Sequence, residues 1–151
     1  MGAISPPALG GFIRVNKFVD QLTKWSEVFL IKEKSSAVDT LEMYNQVVVI
    51  PTGQRLERVR ADRGGKNTGP AFRKYCLDVG IKLEFASTST PQQIGANEQI
   101  GRTLAGMVRC MLSDSGLPHS LWGELKLEAA YLSNRVPHSA PNNESSLRLG
   151  G

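Results

Sequence analysis

Apolar positions along the chain keep two rhythms, and each rhythm predicts an element. Residues 12–19 carry Ile13, Val15, Phe18 and Val19 in strand-like alternation, residues 20–24 read as a turn, and residues 25–31 return as a second strand, so the pair predicts a hairpin. Val38, Leu41, Tyr44, Asn45 and Val48 then recur at helical intervals, and Ser36 with Asp39 has capping-box spacing, which predicts a helix over about 36–49 ended by Pro51-Thr52-Gly53. A short strand follows over 56–61, alternating apolar and basic residues. Phe72, Tyr75, Cys76 and Val79 fall at i, i+3, i+4 and i+7, a one-faced helix stopped by Gly80. Ile81, Leu83 and Phe85 alternate with Lys82 and Glu84 as a strand with one face buried. After a polar loop over 87–91 come two more helices. One spans 96–113 with Ile100, Leu104, Met107, Val108 and Met111 inward; the other spans 120–134 with Leu121, Leu125, Ala129 and Leu132 inward. This order predicts an α/β domain, a mixed sheet flanked by helices. Its expected limits are 12–136, with 1–11 a loop leading in and 137–151 a polar, flexible tail.

Length and composition narrow the picture only a little. The 151 residues suffice for one domain with a real core. A net charge of +4 leans toward a polyanionic partner, although many enzymes are as basic. No apolar run approaches the roughly 20 residues of a membrane span, and the N-terminus lacks a basic-then-apolar signal pattern. The expected setting is therefore the nucleus or cytoplasm, with no membrane partner. Cys76 and Cys110 have no CxxC spacing and only His119 and His138 as company, so they read as two reduced core thiols rather than a zinc site.

The candidate chemistry lies in two carboxylates. Asp62 ends the strand over 56–61 and meets the glycine pair Gly64-Gly65; Glu98 follows after 35 intervening residues, on the helix over 96–113. On a wheel of about 100° per residue, Arg102 and Arg109 fall within about 40° of Glu98, away from the apolar stripe. By itself that is a solvated face with one i,i+4 ion pair. A second reading follows if the strand end and the helix meet at one sheet edge, bringing the two carboxylates within about 8 Å. In-line phosphodiester transfer wants two hard divalent ions held by carboxylates, from at least three acids, and Lys66, Lys74, Arg102 and Arg109 would position phosphates.

The surrounding words carry a resemblance. Arg60-Ala61-Asp62-Arg63-Gly64-Gly65-Lys66, Thr90-Pro91-Gln92-Gln93-Ile94-Gly95 with Glu98, Arg102-Thr103-Leu104, Ser115-Gly116-Leu117-Pro118 with Leu121-Trp122-Gly123-Glu124, and Ala129-Ala130-Tyr131-Leu132-Ser133-Asn134-Arg135 together resemble the catalytic core of copia-type retrotransposon integrases. The resemblance covers about residues 10–140. It implies a ribonuclease-H-like fold and a DDE-type integrase that trims and joins DNA ends with Mg²⁺ or Mn²⁺, working on element ends and target DNA as a homo-oligomer. By carry-over, Asp62 and Glu98 match the second and third catalytic acids and metal ligands, and Arg63, Lys66, Arg102 and Arg109 are the nucleic-acid-binding candidates.

Departures from the pattern shape the functional expectation. The family's first catalytic aspartate precedes a word that resembles Gly2-Ala3, so its position falls before Met1, and the first strand is expected to be missing or incomplete. Asp20 is not its equivalent. Arg63 and Lys66 stand where the family has Asn and an acid, and would repel a cation or pair with Asp62. The expectation is a polyprotein fragment inactive as given. The alternative is a non-catalytic nucleic-acid-binding module using Arg60, Arg63, Lys66, Arg102 and Arg109.

Overall fold

The computed structural model describes residues 3–21, 23–32, 37–61, 69–85 and 91–136. Within it the chain forms two compact units, one of residues 1–33 with 96–151 and one of residues 34–95.

The first unit is built on the predicted hairpin. Strands β1 (Arg14–Val19) and β2 (Ser26–Ile31) pair antiparallel, with Val15 opposite Leu30 and Lys17 opposite Val28. Asp20 closes the turn: its carboxylate accepts from the Thr23 amide at 2.6 Å and the Thr23 hydroxyl at 2.8 Å, and Lys24 adopts a left-handed φ of 62°. Two helices, α3 (Pro91–Ser115) and α4 (Trp122–Ser133), complete the unit. Its core joins Val28, Leu104, Val108, Trp122, Ala129 and Ala130 with Ala8 of the leading segment.

Two close contacts fix α4 against β2. Gly123 has no side chain because a Cβ there would stand 2.7 Å from Ala8 Cβ and 2.9 Å from Leu30 Cδ1. Immediately past the other end of α4, Asn134 is 3% exposed and reads the backbone of Ser26 as a neighbouring strand would. The Ser26 amide donates to Asn134 Oδ1 at 2.8 Å, and Asn134 Nδ2 donates to the Ser26 carbonyl at 2.8 Å. The leading segment is also tied in, through Trp122 Nε1 donating to the Pro6 carbonyl at 2.8 Å.

In the second unit, β3 (Arg58–Ala61) and β4 (Lys82–Phe85) pair parallel, joined through α2 (Pro70–Val79), the crossover that parallel strands require. Gly80 ends α2 at φ 79°, its amide donating to the carbonyls of Cys76 and Leu77. Leu41 and Tyr44 of α1 (Ala37–Tyr44) are buried, as are Phe72 and Cys76 of α2.

Three sequence expectations are corrected. The helix over 36–49 is α-helical only to Tyr44, then widens to a π turn over Asn45–Val49 and tightens to a 3₁₀ turn over Ile50–Thr52. The β-branched run from Val47 to Ile50 crowds a regular α-helix, and Pro51 cannot donate into one. Helix α3 begins at Pro91 rather than 96, because proline is suited to a first helical turn. Cys110 is exposed, not a core thiol, because it follows Arg109 on the outer face of α3, whereas Cys76 is buried. Ser36, the loop over 87–90 and the tail over 137–151 lie outside the described residues.

Replacing Asn134 with Ala leaves two buried Ser26 backbone groups unpaired, and the loss is expected to be about 2–4 kcal/mol in denaturant unfolding. Gly123→Ala is expected to cost about 1–3 kcal/mol by the same measurement, through overpacking against Ala8 and Leu30.

Candidate functional site

Strand β3 delivers the chain to Asp62, and its own side chains show how charge is arranged there. Val59 and Ala61 turn inward, while Arg58 and Arg60 face outward onto Glu84 of the paired strand. Glu84 receives Arg60 at 3.1 Å, Arg58 at 3.4 Å and Lys82 at 3.5 Å. The hydrogen bond from Arg60 is the main reason that the Glu84 carboxyl lies below the usual carboxylate range. Arg60, a candidate for binding nucleic acid, is thus held by a carboxylate of its own sheet. Asp62, Arg63 and Lys66 lie outside the described residues, and so does the expected convergence of Asp62 with Glu98.

Glu98 is the eighth residue of α3, about two turns in, and not in the first turn as the sequence suggested. Its amide is therefore inside the helical ladder. The predicted face is correct: Leu104 and Val108 are buried on one side, and Glu98, Arg102 and Arg109 are exposed on another. The Glu98 side chain is 60% exposed and meets Arg102, 75% exposed, at 3.4 Å. Such an i,i+4 pair is weak, about 0.3–0.5 kcal/mol. Lys74 pairs with Asp78 at 3.4 Å. Asp20 is occupied in its own turn.

Glu98 offers a divalent ion one exposed hard-oxygen ligand. Among the described residues, no group of three or more His, Cys, Asp or Glu side chains could hold a metal ion, so no step through one is derived from this geometry. No described helix is long and apolar enough to cross a membrane.

Sequence reasoning missed two half-buried lysines of the first unit, Lys17 and Lys126. Lys17 lies on β1 in register with Val15, and its ammonium donates to the Asn97 carbonyl of α3 at 2.6 Å. The ammonium passes close over Gly101, where a Cβ would stand 3.0 Å from Lys17 Nζ. Burial, and secondarily the charge of Lys126 on α4, lowers the Lys17 pKa to about 8. Burial likewise lowers Lys126. The signal in the sequence was a lysine at an inward position of the 15–17–19 alternation.

A separate cleft of about 440 Å³ opens between β2 and α4, walled by Trp25, Glu27, Glu124, Glu128, Tyr131 and Arg135. Burial pushes the Glu27 carboxyl up. None of the candidate site residues lines it.

No model of a known protein family matches the chain. It is 35% identical over 136 residues to the retrovirus-related Pol polyprotein from transposon TNT 1-94 of Nicotiana tabacum, covering 90% of the chain and 10% of that polyprotein. It is 28% identical over 120 residues to the corresponding polyprotein from transposon RE2 of Arabidopsis thaliana, covering 80% of the chain and 8% of the relative. The chain thus spans about a tenth of the length of these relatives. Among solved structures it is similar to the HTLV-2 integrase catalytic core domain in complex with magnesium, in a trimeric form. That match has TM-score 0.66 and 16% identity, over 91% of this chain and 93% of that one. It is also similar to the catalytic core domain of BIV integrase, with TM-score 0.68 and 16% identity, over 89% and 83% of the two chains. The simian T-cell lymphotropic virus intasome in complex with the PP2A regulatory subunit B56 gamma gives TM-score 0.73 at 16% identity, over 90% of this chain and 47% of that one.

Lys17 gives a pH test. Its folded form releases the proton near pH 8, while the unfolded chain keeps it to about 10.5, so the unfolded state binds more protons in that window. This group's contribution therefore makes stability rise with pH between those values. Lys17→Met is expected to raise the melting temperature at neutral pH and to flatten that rise, as read by thermal melts across the window.

Proposed function

Because the chain belongs with the retrovirus-related Pol polyproteins of plant transposons and has the fold of retroviral integrase catalytic cores, we propose that residues 12–136 are the integrase core of a copia-type transposon polyprotein. In this reading the whole polyprotein performs metal-dependent joining of DNA ends to target DNA, acting as an oligomer. The observation that carries it is the 35% identity over 136 residues, an alignment long enough to span both units.

Within that reading Asp62 and Glu98 are two of the acids that hold Mg²⁺ or Mn²⁺. When bound, such ions stabilise the attacking and leaving oxygens of an in-line phosphodiester transfer. Glu98 suits the role in being solvent-facing and only weakly held by Arg102. Arg102 and Arg109, seven positions apart on one exposed face, lie about 10 Å apart along the helix axis, a span that can follow a phosphate backbone. Arg63 and Lys66 add positive charge next to Asp62 in the sequence. Two matching acids fall short of the three that a two-ion site needs, so the 151-residue chain by itself binds DNA without joining it.

A strand-transfer assay with Mg²⁺ or Mn²⁺ and a labelled duplex tests this. The expected outcome is salt-dependent duplex binding by the 151-residue chain, weakened several-fold in Arg102→Gln and Arg109→Gln, with no joined product. Metal-dependent joining that vanishes in Glu98→Gln would overturn the inactive reading and establish catalysis. Duplex binding that no cation replacement weakens would count against the nucleic-acid role of this face.

A further inference from the structure

The cleft between β2 and α4 carries a charge opposite to that of the chain. It lies wholly within the first unit. Its walls bear three carboxylates, Glu27 on β2 with Glu124 and Glu128 on α4, and one cation, Arg135, which leaves a net −2 in a chain of net +4. Among the described residues, none of the three carboxylates takes part in an ion pair. Glu27 accepts from Trp25 Nε1 at 3.3 Å, and one Glu124 oxygen, Oε2, is buried with no hydrogen-bond partner among the described residues. Carboxylates drawn partly out of water with so few donors are unfavourable as they stand, and a cation placed among them relieves that cost. The burial that pushes the Glu27 carboxyl up acts in the same direction.

The other walls narrow the kind of cation. Trp25 and Tyr131 are aromatic, and the Tyr131 ring already has the Arg135 guanidinium stacked on it, 3.3 Å from the ring centroid. A planar, weakly hydrated guanidinium suits such a ring face better than a compact, strongly hydrated ammonium does. Among the described residues no group of three acids could hold a metal ion, so a bare divalent ion does not fit, and the negative lining turns a phosphate backbone away. Glu124 and Glu128 stand about 6 Å apart along the axis of α4, close to the roughly 6–7 Å between alternate side chains of an extended peptide. A volume of about 440 Å³ gives such side chains room.

We propose that the β2–α4 cleft is a docking site for an arginine-bearing segment of a protein partner, its guanidinium stacked on the aromatic walls and countered by Glu27, Glu124 and Glu128. Arg135, exposed and tied only to Tyr131, holds the ring until the incoming arginine displaces it. The site does not rest on the integrase reading and stands whether or not the chain binds DNA.

Fluorescence anisotropy of a labelled arginine–glycine–arginine peptide, titrated with the 151-residue chain at low salt and compared with its lysine counterpart, provides the first arm. The native chain is expected to bind the arginine peptide saturably and several-fold more tightly than the lysine peptide. Tyr131→Leu and Glu128→Gln should each weaken that binding several-fold, and Glu124→Gln/Glu128→Gln about tenfold. Glu42→Gln, at an exposed carboxylate of α1, should leave it unchanged, and Arg135→Gln should tighten it by vacating the Tyr131 ring. Tyr131 and Glu128 are exposed, so their variants should keep the native far-UV circular dichroism and carry the test even if replacing Glu124 prevents folding. No saturable binding, equal binding of the lysine peptide, or a loss in Glu42→Gln as large as in the cleft variants would overturn the proposal. The second arm is sedimentation velocity of the chain without peptide. A dimer that Tyr131→Leu and Glu128→Gln dissociate would give the cleft to a second copy of this chain and overturn the partner assignment. A sedimentation coefficient that these variants leave unchanged, alongside their weakened peptide binding, supports it.

Discussion

The side chain of Asn134 holds the first unit together at its most demanding point. Strand β2 begins at Ser26, 1% exposed, where a backbone amide and a carbonyl would otherwise be buried without partners. One amide side chain 108 positions away satisfies both. The constraint propagates. With the end of α4 pinned to the start of β2, and Gly123 letting the other end approach Leu30, the helix has little freedom to slide or roll. Its stripe then faces the core with Trp122, Ala129 and Ala130, and Lys126 follows them inward. Through Leu104 and Val108 the same core sets the roll of α3, which places Glu98, Arg102 and Arg109 in solvent.

Charge is handled differently in the two units. In the second, three cations of β3 and β4 share one carboxylate, Glu84, so much of the positive charge along that strand pair is answered locally. In the first, Arg102 has a weak partner in Glu98, and Lys17 has a carbonyl rather than a carboxylate. A hydrogen bond to a helix carbonyl orients an ammonium without neutralising it. The cost of partial desolvation therefore remains, and it is expressed as a lowered proton affinity. Candidate partners with negative charge should be sought at the first unit for this reason, more than from the net charge of +4.

The sequence was legible wherever local rules decide. The hairpin follows from alternation, and α2 with its Gly80 stop follows from the i, i+3, i+4, i+7 pattern. The exposed face of Glu98 follows from 100° geometry. It was less legible where local preferences compete: four β-branched residues before Pro51 turn a predicted helix into successive π and 3₁₀ turns, and Pro91 opens α3 five residues early. It was opaque where distant residues meet. Nothing near Asn134 says that it completes Ser26, and nothing near Lys17 says that Gly101 leaves room for it. Of the site, the orientation of Glu98 was readable and its depth along the helix was not.

What the exposed pair of Glu98 and Arg102 signifies turns on its weakness. A carboxylate kept for structure is normally enclosed by donors that would be left unpaired on its removal, as Glu84 is held by three cations. Among the described residues Glu98 pairs with one arginine, in solvent, across a single helical turn, and the helix is already secured elsewhere by Leu104 and Val108. Stability therefore gives little reason for an acid at this position, and the i,i+4 pair is worth too little to supply one. A ligand that binds carboxylate oxygen strongly would have only this weak contact to displace, releasing Arg102 toward a phosphate at the same time. The solved integrase cores share 16% of their residues with this chain and so speak for its fold. The proposal that Glu98 is a functional acid rests instead on the resemblance of the sequence around it, together with an exposed carboxylate that Arg102 holds only weakly.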